Sequence, residues 1–395
     1  MILLASKKKC TGCMACLQAC PMKCINTQED ELGDLYPSID KKHCIECGAC
    51  VKACPELNPT TKISFRQSSN AYAVQSLDVS NRSKCASGGA ASEFYAKALN
   101  KGYWICGAKY EEEYQVKHFL SKENKEISAF RQSKYVYSDT HDIYDKVKKL
   151  LRNNEKVLFI SLPCKIAGLY SYIGEELTSN LLTIDIVCHG TPPYVHLRKH
   201  IEKVANLNKG DLIFRKENEF RFEIVNDGRV AYSKVGRQDN YLVAFLEGLN
   251  YRLSCYNCSY ARPERIADIT IGDFWGLGTE IPWNHPYTGS ISLVLINTEK
   301  GRQFWDDCKE NFFAEERSVD EAVKGNAQLN HPTTMHPKRD EFEELYKQKG
   351  FEKAVEVCLK EEIGRDRKRQ HYIQLRQNLK KIAGIAIPRY RRQGK

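Results

Sequence analysis

The 395-residue sequence predicts an α+β fold that consists of a small cysteine-rich unit, a larger α/β domain and a helical tail. Three observations indicate this organisation. A run of four cysteines occurs twice near the N-terminus, strand-like and helix-like segments alternate from about residue 70, and the sequence from residue 339 is charged and mostly helical in pattern. The predicted domains are residues 1–60, 70–338 and 339–395, and the alternation favours a largely parallel sheet in the second.

The two cysteine runs share one spacing. Three thiols are separated by two residues each, a fourth follows after three more, and a proline comes next; the runs are Cys10, Cys13, Cys16, Cys20 with Pro21, and Cys44, Cys47, Cys50, Cys54 with Pro55. This spacing is typical of two cubane [4Fe-4S] clusters, because the three close thiols bind one cluster and the fourth binds its neighbour. The predicted ligand sets are therefore Cys10, Cys13, Cys16 and Cys54, and Cys44, Cys47, Cys50 and Cys20. Two zinc sites would not require the third cysteine of each run or the proline.

The first unit therefore resembles the bacterial two-cluster ferredoxins. Residues 31–39 predict a hairpin that joins its halves, with the turn at Gly33-Asp34. Cys24 is predicted to pack in the small core, because the eight ligand positions are already filled. The polar residues 56–69 predict a linker.

Composition narrows the class of protein. A hydrophobic fraction of 42% and no apolar run near the ~18 residues of a membrane span indicate an ordinary globular chain. The net charge of +10 is dispersed, which disfavours nucleic acid and favours acidic redox partners or phosphate-bearing ligands. The N-terminus becomes basic at Lys7 and does not form a signal peptide, so we expect reduced thiols and a cytoplasmic location.

The second domain is predicted element by element. A helix is expected from Ser87-Gly88-Gly89 to about Leu99, and another over residues 142–152. Buried strands are expected at residues 71–74, 103–108, 157–160, 181–187 and 291–296, and an antiparallel insert at residues 211–214 and 221–233.

Four further cysteines occur where chemistry is expected. Cys164 and Cys188 each follow a predicted parallel strand, at the sheet edge where open α/β sheets bind ligands, and Cys255 and Cys258 form a CxxC pair. Four thiolates suit a third [4Fe-4S] cluster, but a structural zinc ion or unrelated buried cysteines remain alternatives. A thioredoxin-like dithiol is disfavoured, because a basic loop follows Cys258. The remaining cysteines are predicted to be structural: Cys85, Cys106, Cys308 and Cys358.

Several separated motifs then carry a family resemblance. The CxxC pair is followed by Arg265-Ile-Ala-Asp-Ile-Thr-Ile-Gly-Asp-Phe-Trp-Gly276, and the chain also contains Ser87-Gly88-Gly89, Ser133-Lys134-Tyr135, Leu162-Pro163-Cys164 and Cys188-His189-Gly190. Over roughly residues 70–300 the sequence resembles the coenzyme F420 hydrogenase/dehydrogenase beta-subunit family. The resemblance implies FAD and a [4Fe-4S] cluster, and hence a third cluster ligated by Cys164, Cys188, Cys255 and Cys258.

Candidate flavin residues follow from local pattern. Ser87-Gly88-Gly89 is predicted between a strand and a helix, where glycines let backbone N–H groups approach a phosphate; a simple turn is the alternative. In Ser133-Lys134-Tyr135, the lysine would hold the pyrophosphate and the tyrosine a ring, with an exposed strand edge as the alternative. Asp273 is expected near this site without an assigned role. His189 is the candidate proton donor, unless it only orients its loop.

These expectations predict an α/β flavin-binding domain behind the ferredoxin-like module, and an iron–sulfur flavoprotein oxidoreductase. Electrons would pass from a ferredoxin or other redox protein through the clusters and FAD to a small molecule. The substrate is left open among the deazaflavin F420 and other metabolites, including a polysaccharide precursor. The alternatives are an electron-transfer subunit without its own substrate and a zinc-stabilised module that binds nucleic acid.

Two expectations concern charged residues. The basic residues of the second domain are predicted to be mostly solvated, although a pocket for an acidic substrate is the alternative: Arg215, Lys216, Arg221, Arg262 and Arg265. The apolar residues 382–388 lie between basic residues, so this part of the tail is a candidate for weak contact with an anionic membrane surface or for docking a partner.

Overall fold

A computed structural model describes residues 2–58, 64–216, 219–283 and 289–382. Its N-terminal module contains two one-turn helices, α1 (Ala15–Gln18) and α2 (Ala49–Lys52), and the antiparallel strands β1 (Ile25–Glu29) and β2 (Leu35–Ile39). The predicted hairpin is therefore confirmed, and its first strand begins earlier than the predicted residue 31. The turn needs Gly33, whose φ is +85°, and Asp30 Oδ1 accepts hydrogen bonds from the N–H groups of Leu32 and Asp34.

The strands of the larger domain follow in chain order. They are β3 (Asn70–Ser76), β4 (Trp104–Tyr110), β5 (Val116–Ser121), β6 (Ser138–Asp139), β7 (Val157–Ser161), β8 (Leu181–Ile186), β9 (Asp211–Lys216), β10 (Glu219–Asn226), β11 (Arg229–Val235), β12 (Ile269–Asp273), β13 (Ser292–Ile296) and β14 (Phe312–Arg317). The helices are α3 (Val79–Ser83), α4 (Ala90–Asn100), α5 (Glu126–Phe130), α6 (Ile143–Arg152), α7 (Pro163–Ile173), α8 (Tyr194–Val204), α9 (Asn240–Leu246), α10 (Glu299–Cys308), α11 (Val319–Gly325), α12 (Arg339–Cys358) and α13 (Lys360–Ile382).

Within the described ranges, nine strands form one sheet in the order β14-β3-β13-β12-β8-β7-β4-β5-β6. Only four of its eight neighbouring pairs are parallel: β12–β8, β8–β7, β7–β4 and β5–β6. The prediction of a largely parallel sheet was therefore wrong outside the centre. The reason is visible between β4 and β5, where residues 111–115 are too few for the crossover that parallel strands need.

Two further units complete the fold. Strands β9, β10 and β11 form a separate antiparallel sheet, as predicted for the insert. Its buried face packs with α8, α9 and α12 in one apolar core that includes Phe214, Tyr241 and Phe351. Helices α12 and α13 occupy the predicted helical tail, and the first of them is part of this core.

The described residues contain no helix with the length and apolarity that a membrane crossing requires. The apolar segment predicted to touch a membrane or a partner lies outside the described residues, apart from Ile382.

Candidate redox site

The two cysteine runs fold alike. In each run the backbone is left-handed two residues after the first cysteine, at Gly12 and Glu46, and again just after the second cysteine, at Met14 and Gly48. A one-turn helix then begins. Because left-handed residues alternate with other residues in each run, successive backbone N–H groups turn toward one side. Such a group of N–H donors attracts a negatively charged ligand.

The eight thiols line two separate pockets whose membership matches the two predicted ligand sets. The first pocket is lined by Cys10, Cys13, Cys16 and Cys54, and the second by Cys20, Cys44, Cys47 and Cys50. The fourth thiol of each run thus reaches the pocket of the other run. An all-thiol donor set around a concavity fits a [4Fe-4S] cluster.

Cys24 lies at the second pocket as well. It is buried in the module's core, as predicted, and its Sγ is 3.4 Å from the Sγ of Cys20. The second pocket therefore has a fifth thiol in contact with a predicted ligand.

The larger domain holds the first cysteine loop through its backbone. Tyr137 Oη donates a hydrogen bond to the carbonyl of Gly12 at 2.8 Å, and Thr140 Oγ1 donates to the carbonyl of Cys13 at 2.8 Å. Arg252 Nε donates to the carbonyl of Cys10 at 2.7 Å, and its Nη2 lies 3.6 Å from the Cys10 Sγ. No local sequence pattern identifies these donors, because they lie 125 to 242 residues from the loop that they hold.

The third set of thiols comes together at the carboxyl ends of β7 and β8. Cys164 is the second residue of α7, Cys188 follows β8, and Cys255 and Cys258 lie in and just after a 3₁₀ turn. Burial raises the pKa of the Cys164 thiol, Lys165 opposes the rise, and the nearby Cys188, Cys258 and Cys255 add to it. Burial also raises the pKa of Cys255 to about 11. Four such thiols become thiolates together when a cationic metal centre neutralises them, so the donor set fits an iron–sulfur cluster.

In the described part of the chain, no three His, Cys, Asp or Glu side chains converge as a single bound metal ion requires. A cubane cluster is a larger body, and its four cysteines bind separate iron atoms.

The first and third sets are neighbours. Gly168 lies one helical turn after Cys164, about 6 Å along α7, and a Cβ at that position would stand 2.9 Å from the Cβ and 3.0 Å from the Sγ of Cys13. Tyr260 packs in the same buried cluster as Cys13 and Cys164, and its Oη donates to Glu56 Oε1 at 3.1 Å. Helix α7 thus carries one thiol of the third set and rests on one thiol of the first.

The predicted phosphate loop has the close packing that glycine permits. A Cβ on Gly88 would lie 2.4 Å from the carbonyl oxygen of Val74 and 2.8 Å from the backbone nitrogen of Ser292. Gly89 has φ +91°, and α4 begins at the next residue. The buried Ser87 Oγ makes no hydrogen bond to any described residue. We call Ser87-Gly88-Gly89 the cradle. A ligand bound there would meet its backbone groups and the Ser87 hydroxyl.

A hydrogen bond joins the residue before the second candidate segment to the stretch that precedes this loop. Gln132 Nε2 donates to the carbonyl of Lys84 at 2.9 Å, and Lys134 Nζ donates to the carbonyl of Arg131 at 2.7 Å. Burial lowers the pKa of Lys134 to about 7. The buried Arg131 Nε and Gln132 Oε1 also make no hydrogen bond within the described residues. Ser87 Oγ in the first predicted flavin segment, and Arg131 Nε and Gln132 Oε1 just before the second, are therefore buried polar atoms without a partner among the described residues.

Beside the third set, the buried Arg215 pairs with the partly buried Asp273. Arg215 Nη1 donates to Asp273 Oδ2 at 2.7 Å, and the guanidinium stands 4.5 Å from the Phe220 ring centroid. Burial lowers the pKa of His189, although the charge of Asp273 opposes the shift. Tyr135 stacks on Phe245 with ring centroids 4.2 Å apart.

The prediction that the basic residues are mostly solvated was wrong for two of the five. Arg215 and Arg265 are both buried, because each faces a carboxylate: Arg215 pairs with Asp273, and Arg265 Nη2 lies 3.1 Å from Asp185 Oδ2. Lys216 and Arg262 are about half exposed, and Arg221 less so.

Comparison with known proteins gives first the class and then the family. Residues 9–58 match the 4Fe-4S dicluster domain, so the chain is an iron–sulfur electron-transfer protein. Residues 154–322 match the family described as the C terminus of the coenzyme F420 hydrogenase/dehydrogenase beta subunit. The chain is therefore similar to this family over residues 154–322 and carries a dicluster domain ahead of the matched region. The resemblance found in the sequence is confirmed.

Several chains of solved structures are also similar to this chain. In the xenon-derivatised F420-reducing [NiFe] hydrogenase complex from Methanosarcina barkeri, one chain is 19% identical, with a TM-score of 0.46 over 75% of this chain and 93% of that chain. No curated protein sequence matches the chain significantly.

Proposed function

We propose that this chain is an iron–sulfur flavoprotein oxidoreductase that passes electrons between a one-electron redox protein and a small organic molecule. The observation that carries the proposal is the position of Gly168 against Cys13. Gly168 lies one helical turn after Cys164, so the third group of thiols is a neighbour of the first. The third group also shares its sheet edge with Ser87-Gly88-Gly89 and Asp273. This arrangement supports a series of redox sites that would lead from the N-terminal module to a candidate ligand cradle.

Twelve cysteines would hold three [4Fe-4S] clusters, which supply one-electron transfer when bound. The sets are Cys10, Cys13, Cys16 and Cys54; Cys20, Cys44, Cys47 and Cys50; and Cys164, Cys188, Cys255 and Cys258. The side chains of the larger domain that donate to the first cysteine loop, Arg252 among them, would hold that loop in place. The Arg252 guanidinium would also place positive charge beside the loop's thiolates.

The cradle at the start of α4 would hold FAD, which couples one-electron transfer to two-electron chemistry when bound. The N–H groups of Ser87-Gly88-Gly89 and the Lys134 ammonium would face its phosphates. Ser133 and Tyr135 complete the second segment, and Asp273 with its Arg215 partner would border the ring. His189, next to Cys188, is the side chain proposed to deliver a proton to the substrate.

The family description supports F420 as the first substrate to test. Another metabolite, such as a polysaccharide precursor, is the alternative within the same function. The same description, which names a beta subunit, favours one other function: an electron-transfer subunit that serves a partner enzyme and has no substrate of its own.

The deciding experiment measures iron, acid-labile sulfide, zinc and flavin per chain in protein purified without oxygen. We expect about twelve irons and one FAD, at four irons per cubane, and transfer of electrons from reduced ferredoxin to F420. About eight irons with one zinc would make the third set a structural site. About twelve irons without flavin would leave the electron-transfer subunit as the function.

Two variants test the assignments separately. Cys258→Ser should lose about four irons and keep the N-terminal clusters, whereas Cys308→Ser, which removes a buried thiol of α10, should retain all of them. Gly88→Ala should lose flavin and retain iron, because its Cβ would meet the Val74 carbonyl. Equal iron loss in both cysteine variants would contradict the third ligand set.

A further inference from the structure

The charges of the N-terminal module are divided between its two ends. Three acidic residues lie at the hairpin turn, where cations neutralise them: Asp34 lies 3.6 Å from Arg252 Nη1, Glu31 pairs with Lys347, and Asp30 pairs with Lys7 at 2.9 Å. Two of these cations belong to the larger domain. The acidic end of the module is therefore turned toward the rest of the chain.

The other end of the hairpin is basic and open. Strand β1 begins at Ile25 and β2 ends at Ile39, so Lys23, Lys41 and Lys42 flank the same end. All three lysines are exposed, and none forms an ion pair with a described residue.

Two carboxylates share this end. Asp40 Oδ2 bonds His43 Nδ1 at 2.7 Å, and Glu46 is the second. The three lysines therefore outnumber the carboxylates at this end.

The second pocket lies at this basic end, since Ile25 and Ile39 both line it, and it has an exposed apolar centre. Met22 is 48% exposed and Ile45 is 61% exposed, and both line the pocket that Cys47 shares. Cys47 is the one exposed thiol among the seventeen, all of which lie in described residues. The thiols of the first pocket differ, because Cys10, Cys13 and Cys16 are buried and the larger domain binds their loop.

We propose that these six residues, Met22, Lys23, Lys41, Lys42, Ile45 and Cys47, form a docking face for a small acidic one-electron carrier protein. The inference rests on the proposed function, which requires such a carrier. An apolar centre with exposed lysines at the same end of the module complements a carrier whose own redox centre is surrounded by carboxylates, and such pairing speeds encounter and fixes orientation. On docking, the carrier loses one electron and is oxidised, the module gains that electron, and no proton moves.

Binding tests the docking face directly. Anaerobically purified holoprotein is titrated at low ionic strength with a small acidic bacterial two-[4Fe-4S] ferredoxin, and the Kd is measured by calorimetry. The variant K41E/K42E should bind at least about tenfold more weakly, with a shallower salt dependence. The control K203E/K209E changes the net charge by the same amount at two exposed lysines, one in the last turn of α8 and one shortly after it. Its Kd for the ferredoxin should stay within about twofold of the value for the unaltered chain.

Iron content and the urea midpoint of both variants are measured first, so that misfolding is recognised. A second substitution, Ile45→Ser, removes the apolar centre without a charge change and should also weaken binding. The proposal is overturned if the ferredoxin does not bind. It is also overturned if K41E/K42E does not weaken binding, or weakens it only as much as the control K203E/K209E does. It is also overturned if K41E/K42E instead changes the mass of the free protein in solution, since the face would then join copies of the chain.

The docking face and the proposed function fail separately. Protein that lacks flavin but loses ferredoxin affinity only in K41E/K42E would support the docking face and contradict the flavoprotein function. Protein with about twelve irons and FAD, whose affinity is indifferent to the docking face, would contradict the docking face alone.

Discussion

His200 shows at the scale of one residue how buried charge joins distant elements. Its Nε2 lies 2.8 Å from Asp239 Oδ2 and its Nδ1 lies 2.6 Å from Glu352 Oε1. Tyr232 Oη also donates to Asp239 Oδ2, and Asn240 Nδ2 donates to Glu352 Oε2. Burial alone would lower the pKa of His200, but Asp239 and Glu352 outweigh it and raise the pKa to about 10. The imidazolium therefore ties α8 to α9 and α12 near neutral pH.

We expect His200→Gln to destabilise the fold in a pH-dependent way. The pKa of His200 is raised from 6.5 to about 10, so its contribution is complete below 6.5 and is lost as pH rises through about 10. The difference in unfolding free energy between the unaltered chain and the variant should shrink by about 1.4 kcal/mol per pH unit across that window. Urea unfolding at several pH values measures it. A difference that stays constant with pH would refute the ion pair, and His331→Gln on the surface is the control.

At the scale of one element, α7 joins the third thiol set to the first. Pro163 at its first turn suits the helix start, and Cys164 follows it. Lys165 is buried, and its ammonium donates to the carbonyl of Gly12 and lies 4.2 Å from the Tyr137 ring centroid. Gly168 then leaves room for Cys13. One helix therefore fixes the spacing between two candidate redox centres.

Gly168→Ala is expected to disturb that spacing. The new methyl group would meet Cys13 and the hydroxyl of Tyr144, 3.0 Å away, and such overpacking costs about 1–3 kcal/mol. We also expect less iron per chain, because the first cysteine loop must move. Gly364→Ala in α13 is the matched control: its Cβ would meet nothing within 4 Å, so the variant should be neutral or stabilised by up to about 1 kcal/mol. Iron analysis and urea unfolding measure both effects. The same iron content and the same unfolding free energy in the two variants would refute the close contact between Gly168 and Cys13.

At the scale of the whole molecule, the module and the larger domain share a buried ion pair. Arg252 is 1% exposed and Asp34 is 3% exposed. Burial raises the pKa of Asp34 to about 6, and Arg252 opposes that rise. The guanidinium also stands 4.0 Å from the Tyr36 ring centroid and bonds the Cys10 loop. The pair therefore joins the module to the larger domain through a buried contact.

Arg252→Met should cost about 3–5 kcal/mol of unfolding free energy, because it leaves a buried carboxylate without its partner. The double variant with Asp34→Asn should recover part of that loss. Lys347→Met, which breaks the exposed pair with Glu31, is the control and should cost less than about 1 kcal/mol. Urea unfolding, followed by cluster absorbance and by far-ultraviolet circular dichroism, measures all four proteins. A loss in Arg252→Met no larger than in Lys347→Met would count against the buried pair.

The sequence by itself determined the features that are local. The spacing of Cys10 to Cys20 and of Cys44 to Cys54 predicted the dicluster domain, because ligands of one cluster lie close together in the chain. Apolar runs such as residues 157–160 and 181–187 predicted β7 and β8, since a buried strand is a continuous apolar segment. Motif order predicted the family.

Only the tertiary structure decided the features that join distant segments. Sequence could not predict that β3, β13 and β14 pair antiparallel, or that Arg215 and Arg265 are buried beside carboxylates. Nor could it predict that Arg252 bonds the Cys10 loop across 242 residues. The physical reason is common to all three: periodicity and spacing report on neighbours in the chain. Strand direction and charge pairing depend instead on which surfaces meet when the chain folds.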